Sequence, residues 1–152
     1  MLIRRATFAD TCDVYDLTQL AYARWRSVIG QKPLPMDDDY METMDTHIVE
    51  LLEDDGVLCG VVELFPEESF LLIENIAVHP DHQGKGCGRL LLEHAELSAR
   101  ELGFAEIRLY TNAAFTEDLA FYTKNGYAEL ERSNMIRGSI TVHMNKMLEA
   151  AI

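Results

Sequence analysis

"HPDHQGKGCGRLLL", His79 to Leu92, places three glycines within five positions and then runs into leucines. Gly84, Gly86 and Gly88 alternate with Lys85 and Cys87. Glycines let backbone N–H groups approach a ligand closely, and they accept positive φ. At a helix start several N–H groups lack partners and the dipole end is positive; together these make an anion site. Lys85 and Arg89 add positive charge. A tight strand-to-helix turn needs fewer glycines than this, so the stretch reads as a phosphate loop.

Three phosphate patterns compete for it. The Walker A pattern needs Gly-Lys followed by Ser or Thr, and neither Gly86 nor Gly88 is followed that way. The dinucleotide pattern G-x-G-x-x-G begins at Gly84 and Gly86 but meets Arg89 where its last glycine belongs. That pattern also wants an acid at the end of the next strand, whereas Glu106 lies near the start of one. A nucleotide-binding oxidoreductase is therefore disfavoured. The third pattern, Q/R-x-x-G-x-G/A, is met in full by Gln83 to Gly88.

The flanks fix the context. Upstream, "SFLLIENIAV" is nearly continuous apolar sequence, which suits a central strand covered on both faces. Downstream, a helix is predicted over 89–102, with Leu91, Ala95, Ser98 and Leu102 as its inner stripe and Gly103 at its end. "AEIRLYT" reads as a strand. "TEDLAFYTKNG" reads as a helix with Thr116 as N-cap and Gly126 at its stop. "YAELERS" and "ITVHMNKM" read as the last two strands. Toward the N-terminus, "LIRRAT" reads as a strand, and Asp10 is the expected cap of a helix carrying Val14, Leu17, Ala21, Trp25 and Val28. Gly30 and "KPLP" end that helix, and a second is predicted over 37–46 with Tyr40 and Met44 on one face. "HIVELLEDDG" and "VLCGVVELF" form a hairpin signal at Asp54-Asp55-Gly56. The predicted order is β-α-α-β-β-β-α-β-α-β-β. It implies an α/β fold: a mixed, mostly antiparallel sheet of about seven strands flanked by about four helices. Its parallel pair is expected at Ile73 and Arg108.

With 152 residues, 48% apolar and 26% charged, the chain is expected to form a single domain spanning 1–152. No stretch approaches the roughly 18 apolar residues of a membrane span. The N-terminus lacks a secretory apolar region, and the three cysteines, Cys12, Cys59 and Cys87, are odd in number and far apart. A cytoplasmic protein with reduced thiols is the expectation. No metal site is expected, since His79 and His82 have no further ligand pair. The net charge of −13 argues against nucleic acid as a partner. Nine acids and no Lys or Arg fall between Asp37 and Asp55. They read first as a solvated acidic face, and second as a field attracting a cationic substrate.

The run from Leu72 to Tyr127 joins "ENIAVHPDH", the glycine loop, a leucine-rich helix, a strand, a helix bearing Tyr122, and "NGY". This run resembles the acetyl-CoA-binding core of the GNAT N-acetyltransferase superfamily, and the element order on either side is similar too. The resemblance implies a GNAT-like fold. It implies an enzyme that moves the acetyl group of acetyl-CoA to a primary amine of a small molecule, amino acid or peptide, by direct attack in a ternary complex. The loop amides of Gln83, Gly84, Lys85, Gly86, Cys87, Gly88 and Arg89 would hold the pyrophosphate of coenzyme A. Ile76, Ala77 and Val78, on a bulged strand, would pair with the pantetheine arm. Members of the family often pair as homodimers through their late strands, so a homodimer is one arrangement the resemblance allows, and the sequence leaves the oligomeric state open.

The chemistry assigns further roles. An ammonium has no lone pair, so the acceptor must lose a proton. Glu74, an acid inside an apolar run, is the first candidate base; Glu63 on the preceding strand is the second, and a water relay the third. The developing oxyanion needs a donor, for which the family points to the Val78 amide. Tyr122 matches the family's tyrosine general acid for the departing thiolate. Asn112 ends the fifth strand and is a candidate contact to the cofactor. Asp118 stands one helical turn before Tyr122, where many relatives carry an Asn that bonds the cofactor arm; as a carboxylate it accepts but cannot donate. Tyr22, Trp25 and Tyr40 are candidates to line the acceptor pocket. The alternative is a module that binds CoA or acyl-CoA without turnover.

Overall fold

Asp55 and Gly56 both adopt left-handed backbone conformations, with φ of 49° and 77°. This two-residue turn matches the twist of the strands it joins. Those strands are β2 (Ile48–Asp54) and β3 (Val57–Pro66), and they pair antiparallel as the hairpin signal predicted. The computed structural model describes residues 1–29, 39–134 and 139–149, and for 26–29 the backbone alone.

The remaining strands are β1 (Leu2–Arg5), β4 (Leu71–Val78), β5 (Glu106–Asn112), β6 (Ala128–Asn134) and β7 (Ile140–Met147). They form one seven-stranded sheet in the order β1-β2-β3-β4-β5-β7-β6. Every neighbouring pair is antiparallel except β4 and β5. That parallel pair is short, matching Leu71 to Ile107, Leu72 to Arg108 and Ile73 to Leu109. Beyond Ile73 the two strands part.

Helices α1 (Thr11–Ile29) and α2 (Tyr40–Thr46) cover one face, and α3 (Cys87–Glu101) and α4 (Thr116–Lys124) the other. On the first face Val14, Leu17, Ala21 and Tyr40 pack against Val49, Leu51, Val61 and Ala77. On the second, Leu91, Leu92, Ala95 and Ala99 join Cys59, Val62, Leu64, Ile73 and Ile107 in the larger core. The seven strands, four helices and their order match the expected GNAT-like fold.

Several local expectations shift. Helix α3 starts at Cys87, two residues early, because Gly86 takes the N-cap position with φ 84°. Its buried stripe is therefore Cys87, Leu91, Ala95 and Ala99, and Leu102 lies 52% exposed beyond the last turn. Phe115, not Thr116, is the N-cap of α4, and no side chain caps it. Asp10 does not cap α1. It closes a 3-10 turn over Phe8–Asp10, where its carboxylate accepts from Thr7 N–H and from Arg4. Asp39 caps α2 through the amides of Met41 and Glu42. Gly30, Lys32 to Pro35, residues 37–38 and the Val28 side chain lie outside the described residues. Among the described residues no helix is long and apolar enough to cross a membrane.

Candidate active site

The site starts from an irregularity in β4. Glu63 faces Asn75 across the β3–β4 ladder, and Leu64 faces Ile73, so Glu74 is left unmatched as a bulge. A bulge adds one residue to one strand and re-aims its neighbours. Ile73 and Ile76 consequently share the α3 face, although three residues apart. Asn75 and Ala77 turn to the α1 face, where the Tyr22 hydroxyl donates to Asn75 Oδ1 at 2.8 Å. The bulge falls where β4 leaves β5. From Asn75 onward, β4 has no ladder partner on that side.

The backbone of this free edge has a definite orientation. His79 N–H bonds the Cys59 carbonyl on the β3 side at 2.8 Å. Strand alternation then directs the backbone groups of Val78 and Ile76 to the parted side. Gln83 Nε2 reaches back from the loop to the Val78 carbonyl at 3.1 Å, so the first residue of the loop motif braces the loop against the strand.

Gly84 and Gly86 hold φ of 78° and 84°, and a Cβ built on either meets nothing within 4 Å. They are glycines because of backbone conformation, and their outer side is open. Gly88 differs. It lies inside α3, and a Cβ there would stand 3.3 Å from Phe121 Cζ. The first intrahelical bond joins Leu90 N–H to the Gly86 carbonyl. The amides of Cys87, Gly88 and Arg89 thus precede the helical ladder and face the end of the axis. The Cys87 side chain itself is 1% exposed and belongs to the core, so only its backbone faces the loop.

A cleft of about 720 Å³ runs from this loop along the parted edge of β4. Ile76, Ala77, Val78, Gln83, Gly84, Gly86, Cys87, Gly88 and Arg89 line one side. Asp118, Phe121 and Tyr122 on α4 line another, and Tyr22, Arg24 and Trp25 on α1 form a third wall. Trp25 stacks on Phe115 with centroids 4.5 Å apart, and Arg24 bonds Glu117 at 3.0 Å, which joins α1 to the start of α4. Tyr122 is 7% exposed, and burial, helped by Asp118, holds its hydroxyl proton more tightly than in an ordinary phenol. Asp118 is pushed up to about 6, chiefly by desolvation, with Arg24 opposing and Glu117 reinforcing. The donor set suits a ligand with phosphates at one end and an amide-bearing arm along the strand: bare amides and cations at the loop, then a free strand edge.

Other sequence candidates lie elsewhere. Lys85 is exposed and outside the cleft lining. Asn112 is outside it too, because its Oδ1 accepts Ala114 N–H at 2.9 Å and closes the turn into α4. Glu74 is not among the lining residues either; its Oε2 contacts His47 Nε2. Glu63 is 1% exposed within the sheet. Tyr40, at 3% exposure, is core. Sequence reasoning missed His47, Asn75 and Phe121. No local pattern marks them: the first is placed by the α2–β2 junction, the second by the bulge, the third by its contact with Gly88.

The fold has close counterparts. Residues 45–129 match the model of the acetyltransferase (GNAT) domain. The chain is 35% identical over 88 residues to mycothiol acetyltransferase of Jonesia denitrificans, a match covering 57% of this chain and 28% of that protein. It spans less than half the length of the curated relatives it matches. The ribosomal-protein-S18-alanine N-acetyltransferase of Escherichia coli superposes with a TM-score of 0.76 at 21% identity, covering 99% of this chain and 96% of that one. A GNAT family acetyltransferase of Elizabethkingia anophelis, solved with acetyl-CoA bound, superposes with a TM-score of 0.73 at 20% identity, covering 97% of each chain. With more than half its length matched by the family model, and a sheet that parts beside a glycine loop, the chain belongs to the GNAT acetyltransferase family.

Proposed function

We propose that this chain is an acetyl-CoA-dependent N-acetyltransferase that moves the acetyl group to a primary amine of a small molecule, amino acid or peptide. The observation that carries the reading is the single cleft in which the glycine loop, the free edge of β4 and Tyr122 meet. The amides of Gly86, Cys87, Gly88 and Arg89 hold the pyrophosphate, and Ile76, Ala77 and Val78 pair with the pantetheine arm. The amine nitrogen attacks the thioester carbonyl from the α1 side while the Val78 N–H faces the developing oxyanion. The carbon–sulfur bond breaks, and Tyr122 gives its proton to the departing sulfur. Glu74 takes the proton that the attacking nitrogen loses. The relatives named as acetyltransferases and the neighbour holding acetyl-CoA support this assignment.

Thermal unfolding with acetyl-CoA, CoA, NAD and ATP tests the cofactor. A ligand at 100 times its Kd stabilises the fold by about 2.7 kcal/mol. A shift with both CoA forms and none with NAD or ATP is expected; no shift with either CoA form rejects the reading. Release of CoA thiol across a panel of amines then tests turnover. Binding without release on any amine would mark the chain as a CoA-binding module.

A further inference from the structure

We propose that His47 is a positioning residue for Glu74, and that the two form a histidine–carboxylate pair serving the acceptor amine. The proposal rests on the acetyl-transfer reading and adds to it a residue outside the glycine-loop cleft.

The pair is built by tertiary structure from residues 27 positions apart. His47 is the single residue between α2 and β2. Its backbone N–H bonds the Thr43 carbonyl at 2.9 Å, which ends the helix. Its ring is held from three directions. Nδ1 lies 2.7 Å from Thr46 Oγ1, the ring leans on Phe65 at 5.0 Å between centroids, and Nε2 meets Glu74 Oε2. A side chain fixed on three sides loses little further freedom when it acts.

Glu74 occupies the one unmatched position of β4. Alternation from Ile73 puts Glu74 on the face away from α3, and the unmatched position keeps Asn75 on that same face. Oε2 is committed to His47, while Oε1 has no hydrogen bond among the described residues, and the side chain is 35% exposed. Glu74 lies on the same strand as the proposed oxyanion donor, four residues before Val78, on the strand whose free edge lines the cleft. The groups facing the pair are Thr46 from α2, Phe65 from β3 and, by register, Glu63 beside Asn75 as the next carboxylate on the sheet. A partly exposed histidine–carboxylate contact contributes little stability, so tying α2 to the sheet is a weak reason for this arrangement.

The test compares kcat/KM against pH for the wild type, E74Q, H47F and H47Q, with an amine that the panel identifies. H47F keeps a ring on Phe65 but has no N–H; H47Q restores a neutral donor. Removing a donor or cation from a carboxylate favours its protonated form. kcat/KM is therefore expected to fall about tenfold in H47F, with partial return in H47Q. E74Q is expected to lose about 10²-fold in kcat. CoA affinity should stay within twofold throughout. An unchanged kcat/KM in H47F, or equal losses in H47F and H47Q, overturns the role. Failure of the wild type on every amine would instead count against acetyl transfer itself. In that case the imidazole resonances of His47 are followed by NMR in the wild type and E74Q. A different Nε2 resonance in the wild type from that in E74Q supports the pair, and identical resonances overturn it.

Discussion

Tyr122 combines two conditions that a general acid for a thiolate requires: a hydroxyl lining the cleft, and a proton that burial keeps in place at every physiological pH. A phenol so held stays protonated until negative charge develops on the departing sulfur, and is then placed to donate to it. Y122F should lower kcat by about 10²-fold or more while leaving the acetyl-CoA Kd within about twofold. Single-turnover kinetics beside calorimetric titration separate the two, and an unchanged kcat would reject the acid role. Asp118, one turn earlier, has its own signature. Its carboxyl is raised from 3.8 to about 6, so between those values the folded state binds a proton that the unfolded state releases. Its contribution is therefore favourable at low pH and is lost as pH rises through about 6. D118N should be more stable than the wild type by about 1–2 kcal/mol at pH 7, a difference that closes below pH 4. Urea melts at both pH values check this, and an equal difference at both would show that Asp118 is solvated like an ordinary carboxylate.

Among elements, the α3 N-terminus and the strands beneath it use glycine for different reasons, and substitution should tell them apart. At Gly86 the cost of Ala is conformational, since φ is 84° and space is open. G86A should lose about 1–2 kcal/mol and weaken CoA binding as the loop amides shift. At Gly60 on β3 the cost is steric: a Cβ would stand 2.8 Å from Leu91 Cδ1 and 3.1 Å from the Ala77 carbonyl. G60A should destabilise by about 1–3 kcal/mol because α3 must lift from the sheet. Denaturant melts and CoA titrations on both variants test the distinction. A G86A protein with unaltered CoA affinity would remove the loop from the binding site.

For the whole molecule, a buried polar junction beside the cleft ties α3 to β7 and to the turn after α4. Glu96 of α3 accepts from the Tyr127 hydroxyl at 3.1 Å and from Lys146 Nζ of β7 at 2.8 Å, and Lys146 also donates to the Asn125 carbonyl. This is what "NGY" does here: Gly126, at φ 96°, turns the chain out of α4, and Tyr127 locks it to α3. K146M leaves the Glu96 carboxylate buried without its cation and should cost about 2–3 kcal/mol. The double variant E96Q/K146M should cost less than the two single changes combined, measured by a double-mutant cycle in urea. The sequence by itself determined the order of elements, the hairpin at Asp55-Gly56, the β4–β5 parallel pair and the glycine loop. These rest on interactions within a few residues: hydrophobic periods of two and 3.6, left-handed glycines, and amides bared at a helix start. Tertiary structure decided which side of β4 each residue faces, because one unmatched residue at Glu74 reverses the alternation. It decided that Asn112 closes a turn, that Gly88 makes room for Phe121, and that Glu74 meets His47. Each of those contacts depends on how strands and helices are registered across the sheet, and no spacing within a segment encodes that register.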